Sequence, residues 1–108
     1  MFFNKDISWE KIVLEYTKNP RDVITVPKNQ KGIWFYVHTE NGEVFITDAE
    51  YHAESSRVRK PIKLKKDEFE AILKIHKRKK RGEAVYQEGK KITYQQVYWY
   101  GIFADMGI

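Results

Sequence analysis

Residues 75–83 read IHKRKKRGE, with a histidine and five Lys/Arg in unbroken succession from His76 to Arg81. Side chains of this type neutralise phosphates and release their counterions, so a dense run of them is the first thing to weigh. Arg57, Arg59, Lys60, Lys63, Lys65 and Lys66 stand just upstream, and Lys90-Lys91 just downstream. Nucleic acid held through Arg57, Arg59, Lys60, Lys77, Arg78, Lys79, Lys80 and Arg81 is the leading expectation. An acidic protein surface is the alternative partner, and a solvated helix end is the plain structural reading. A helix dipole favours cations at its C-terminus by about 0.3–1 kcal/mol each, which accounts for one or two of them. It does not account for the rest, because Lys74/Arg78 and Lys77/Arg81 are like-charge i, i+4 pairs that repel.

A second pattern is Asp48-x-Glu50-x-His52-x-Glu54. In an extended segment these side chains point the same way, and carboxylate with imidazole suits a divalent metal. Asp48, Glu50 and His52 are therefore the residues with ligand chemistry, although such alternation is also expected of an acidic polar edge, and no metal site is assigned. A metal-dependent nuclease would combine Asp48 or Asp67 with Glu88-Gly89-Lys90 around a metal-held water, but Glu88-Gly89 reads as a turn. No phosphate-binding glycine loop and no nucleophile elbow is present. No catalytic residue and no cofactor is assigned, and the chain reads as a non-enzymatic binding module, with a metal-dependent hydrolase as the third possibility.

Two aromatic stretches complete the inventory. The segment IWFYVHTENGEVFITDA carries Asn41-Gly42 between β-rich runs, the signal for a type I′ hairpin over about 33–47. Its register sets Glu40 opposite Glu43, His38 opposite Phe45, Val37 opposite Ile46 and Tyr36 opposite Thr47. One face then carries Ile33, Phe35, Val37, Val44 and Ile46. The other carries Trp34, Tyr36, His38 and Phe45, a platform for bases if open; the stronger expectation is that a helix covers it. The segment TYQQVYWYGIF, as a helix, is apolar nearly all round, which means full burial or an interface. Tyr94, Tyr98, Trp99, Ile102 and Phe103 are the candidate anchors of a homodimer or of docking onto another protein, since Tyr and Trp are enriched at interface cores.

These patches need elements to position them. Trp9, Ile12, Val13 and Tyr16 recur at helical spacing and predict a helix over about 7–18, capped by Asp6 and ended by Asn19-Pro20. Val23–Val26 predicts a strand, and Arg57–Leu64 an edge strand with Pro61 in it. A helix over about 67–81 follows, with Asp67 and Glu70 as a capping box and Gly82 as its stop. Residues 84–92 read as a small hairpin around Glu88-Gly89. Thr93 and Gln96 then form a capping box for a last helix over about 94–104. Gly101 inside that helix suggests close backbone approach. The result is a single α+β domain over 1–108, a small antiparallel sheet built on the central hairpin and packed with about three helices.

The 108 residues include 20 Lys/Arg and 15 Asp/Glu, net +5. Residues 1–54 hold 6 Lys/Arg against 9 Asp/Glu, a balance of −3, and residues 55–108 hold 14 against 6, a balance of +8. That split bears on partners more than on fold. There is no cysteine, which excludes disulfides. No apolar run has the length of a signal peptide or membrane span, so the expectation is a cytoplasmic protein with no membrane partner. In size, absence of cysteine and lysine and aromatic content the chain resembles many small phage and mobile-element proteins.

Overall fold

Asn41 and Gly42 both adopt positive φ, 52° and 79°, and close the hairpin between β2 (Trp34–Glu40) and β3 (Glu43–Asp48). This is the computed structural model of the chain, and it describes residues 7–28 and 30–108. The β2–β3 register pairs Glu40 with Glu43, His38 with Phe45, Val37 with Ile46 and Tyr36 with Thr47, as a two-residue turn requires. β1 (Arg21–Ile24) joins β2 and β4 (Ile62–Lys63) joins β3, all antiparallel, giving the order β1-β2-β3-β4. Alternation along the strands sends Val23, Phe35, Val37, Val44 and Ile46 to one face, where all are buried. Ile33 falls outside the strand and is exposed.

The helices stand on that face. α1 (Trp9–Lys18) buries Trp9, Ile12 and Tyr16, and its N-cap is Ser8, whose hydroxyl accepts from the Lys11 amide at 3.2 Å. Asp6, expected as the cap, lies outside the described residues. α2 (Phe69–Lys80) follows a 3-10 turn over Lys66–Glu68, and no side chain caps it, so the Asp67–Glu70 capping box does not form. Tyr16 and Arg21 both bond Oδ2 of Asp105, each at 2.6 Å, which fastens α1 and β1 to the end of the last helix.

Two segments depart from expectation. Residues 57–61 are loop, with β4 reduced to Ile62–Lys63, and Arg57 has φ 56°, outside the strand region. Residues 86–92 are a helix, α3 (Tyr86–Ile92), and not a hairpin. Gly89 is the reason: it is buried, and a Cβ there would lie 2.2 Å from Gln96 Oε1 and 2.7 Å from the Tyr100 hydroxyl oxygen. It is a contact point between helices, not a turn residue. Thr93 ends α3 and its hydroxyl accepts from the Gln95 amide at 2.9 Å. Gln96 is buried and spends its side chain on the Tyr86 carbonyl (3.2 Å) and the Tyr100 hydroxyl (2.9 Å). The Thr93–Gln96 capping box is therefore absent, and α4 runs Gln96–Asp105.

α4 is the centre of this small α+β fold. Trp99, Ile102 and Phe103 are each 0% exposed, so they are core and not the anchors of an exposed face. Trp9 of α1 and Phe69 of α2 approach the Trp99 ring at 5.8 and 6.2 Å, and Phe35 of β2 meets Tyr98 edge-on at 5.0 Å. Gly101 lets the sheet close in: a Cβ there would be 3.0 Å from the Ile24 carbonyl and the Phe35 ring. A helix apolar all round is buried in so short a chain because α1, α2 and the sheet close on Trp99, Tyr98 and Phe103, and α3 meets it at Gln96 and Tyr100.

Candidate functional site

The basic run does not act as one surface. Arg78 turns along the molecule to α3, where its guanidinium takes Glu88 in two parallel bonds of 2.6 and 2.9 Å and Glu83 through Nε at 2.7 Å. Those bonds hold Arg78 above its ordinary pKa, and hydrogen bonding to Arg78 holds both carboxyls below theirs. Arg81 reaches Glu83 at 3.4 Å. Lys79 folds inward, with Nζ 5.3 Å from the centre of the Tyr100 ring and 3.4 Å from the Val26 carbonyl. Lys77 and Lys80 are exposed, and neither they nor Arg57, Arg59 and Lys60 enter an ion pair among the described residues. Tyr100 is buried beside this cluster, and that burial raises its hydroxyl to about 12.

Lys79 opens onto a groove of about 700 Å³ between the 25–33 loop, the end of α2 and the α3–α4 corner. Its apolar surface comes from Val26, Ile33, Tyr86, Val97 and Tyr98. Ile33, Tyr86 and Val97 are among the few large apolar side chains left exposed. Lys28, Lys31 and Lys79 line the groove, and Glu83, already engaged by Arg78, is the sole acid among its lining residues. Ser56 lines it as well, immediately before Arg57 in the chain. The groove therefore reaches from Ser56 to Lys79 near the end of α2, two points far apart in sequence. The Ser56 hydroxyl is buried and has no hydrogen-bond partner among the described residues.

A second hollow, about 970 Å³, lies between α1 and the β3–β4 edge. There Lys63, Lys65 and Lys66 are balanced by Glu10, Glu43 and Asp67, and Lys63 and Lys66 pair with Glu43 and Glu10. It is larger, but it has no excess charge to draw an anion.

The chain matches no protein-family model, no curated protein and no solved structure. What it binds is therefore argued from the groove and its surroundings.

On the outer sheet face Trp34, Tyr36, His38 and Phe45 are half-buried, and no helix among the described residues covers them; the expected helical cover is replaced in part by the 49–56 loop. His52 stacks on Trp34 at 3.5 Å between ring centres, and its Nδ1–H donates to Asp22 at 2.7 Å. The Asp22 carboxylate also accepts from the Glu50 and Tyr51 amides, each at 2.8 Å. Burial pushes the Asp22 carboxyl up, but these three donors outweigh it and hold it below its ordinary value. Asp48 accepts from the Ser55 hydroxyl and the Val58 amide, and Glu54 pairs with Lys31. The segment is thus a folded loop, not an extended ladder. Asp48, Glu50 and His52 do not converge, and no group of three potential ligands able to hold a metal ion occurs among the described residues.

Of the residues the sequence nominated, Lys79 lines the groove and Tyr98 is part of its wall. Tyr94 is 85% exposed beside it. Lys28, Lys31, Tyr86 and Val97 were missed. Nothing local marks Lys28 and Lys31, and Tyr86 falls within the hairpin expected over 84–92. No helix among the described residues is long and apolar enough to cross a membrane.

Proposed function

We propose that this chain is a non-enzymatic module that binds nucleic acid through its phosphates, along the groove and the cations at its two ends. The observation that carries this is the shared groove wall: Ser56, next to Arg57, and Lys79, within the basic run, line one groove with Lys28 and Lys31. An extended polyanion lying there and continuing past Ser56 and Lys79 would approach Arg57, Arg59 and Lys60 at one end and Lys80 at the other, while Lys77 leaves the opposite flank of α2. Arg78, Arg81 and Lys31 contribute less, because their charge is committed to Glu83, Glu88 and Glu54.

Neutralising phosphates releases condensed counterions, so log K falls linearly with log salt, by about 0.7 per contact for single strands and about 0.9 for duplex. Titration of labelled oligonucleotides at two salt concentrations tests the proposal. With about four contacts the expected slope is near −3. No binding at about 50 mM salt, or binding indifferent to salt, would overturn it.

A further inference from the structure

We infer that the strand held in this groove is single, with a base laid against Tyr86 and Tyr98 while its phosphates meet the lysines. The inference rests on the nucleic-acid reading above and specifies the form of nucleic acid.

The apolar wall carries the argument. Val26, Ile33, Val97, Tyr86 and Tyr98 present a surface that phosphate contacts leave wet. A duplex turns its charged backbone outward and keeps its base faces stacked inside. A single strand can unstack a base and bury its face, at a gain of about 1–3 kcal/mol per stacked base. The volume, about 700 Å³, is within the ~300–1,000 Å³ of sites that enclose small ligands, so it suits a nucleotide unit.

The rings are prepared for this. Tyr98 is held edge-on by Phe35 at 71° between ring planes, which fixes its orientation before any ligand arrives. Tyr86 is 60% exposed at the start of α3, while its carbonyl is tied by Gln96. Its ring is free and its backbone is fixed. An acidic peptide with apolar side chains would also satisfy wall and lysines. Arg57 follows the lining residue Ser56 and Lys80 follows the lining residue Lys79 in the chain, and cations that continue past the lining at both places favour a partner whose charge repeats along its length.

The test compares a labelled oligothymidylate of about ten nucleotides, inside the ~4–16-nucleotide footprint of single-strand sites, with a duplex carrying the same number of phosphates. The expected result is tighter binding of the single strand. Tyr86→Ala should weaken it about 5- to 150-fold without changing the salt slope, and Tyr86→Phe should retain affinity. Lys79→Gln should instead flatten the slope by about 0.7. Equal or tighter binding of duplex, with Tyr86→Ala silent, overturns the single-strand inference and leaves the nucleic-acid reading standing. Binding of neither nucleic acid at low salt, with a Glu/Leu-rich peptide captured in a Tyr86-dependent manner, overturns both.

Discussion

Arg78 and Glu88 are joined by two parallel bonds, guanidinium to carboxylate, at 2.6 and 2.9 Å. The strongest arginine geometry in the basic run thus faces inward along the protein surface and fastens α3 to α2. This sets the order of importance among neighbouring cations. Lys80→Gln should flatten the salt dependence of oligonucleotide binding by about 0.7, whereas Arg78→Gln should change it less. Glu88→Gln should do the reverse, releasing charge on Arg78 and steepening the slope. Titrations of the three variants at matched salt check the ranking, and equal effects of Lys80→Gln and Arg78→Gln would contradict it.

The terminal aromatic helix makes a different prediction. Trp99 packs between Trp9, Phe69 and Phe103 with ring centres 5.8–6.2 Å away, and it is fully buried. Trp99→Ala should therefore cost about 3–5 kcal/mol through the cavity it leaves. Urea unfolding should show loss of stability and not a folded chain with altered association. Val97→Ala, at a side chain 45% exposed, should leave stability within about 0.5 kcal/mol.

Gly89 separates local propensity from packing. In an exposed helix Gly→Ala stabilises by about 1 kcal/mol. Here the added methyl would meet Gln96 Oε1 and the Tyr100 oxygen at 2.2 and 2.7 Å. Both atoms are buried and bonded to each other, so they have little room to give. Gly89→Ala should therefore destabilise by about 1–3 kcal/mol, the usual cost of overpacking. Denaturant midpoints at unchanged slope would measure it, and a gain in stability would show that α3 can slide outward.

That glycine also explains what could be read in advance. Period-two alternation and the Asn41-Gly42 turn carried the hairpin, its register and its inward face, because strand geometry and turn chemistry are local. The same rules misassigned 84–92, since Glu88-Gly89 has the signature of a turn and only the approach of Gln96 and Tyr100 makes Gly89 helical. An all-round apolar helix is compatible with burial or with an interface, and only the packing of Trp9 and Phe69 on Trp99 decides for burial of Trp99, Ile102 and Phe103. The cations were visible as residues, but not their directions. Whether Arg78 pairs with Glu88, or Lys79 turns over Tyr100, depends on where α3 and the 25–33 loop come to rest. The groove is a product of tertiary packing, and Lys28, Lys31 and Tyr86 carry no local mark of it.

The last prediction concerns pH. His76 sits buried in α2 against the Tyr100 and Phe103 rings, and its Nε2–H donates to the Ile108 main-chain oxygen at 3.0 Å. Its Nδ1 is buried with no partner. Burial pushes its pKa below the ordinary 6.5; the bond to Ile108 works against this, and Lys80, Lys79 and Lys77 add to it. The unfolded chain therefore takes up a proton at His76 at a higher pH than the folded chain does. Stability should be unaffected by this residue well above 6.5 and fall as pH drops through that value. Asp22 acts in a lower window. Its folded carboxyl titrates below 3.8, so its contribution is present above that value and lost on further acidification. Urea unfolding from about pH 8 to about pH 3, the range in which His and Asp both titrate, should show two separate declines. His76→Gln should abolish the upper decline and leave the lower, and Asp22→Asn should do the opposite. A single decline shared by both variants would refute the assignment.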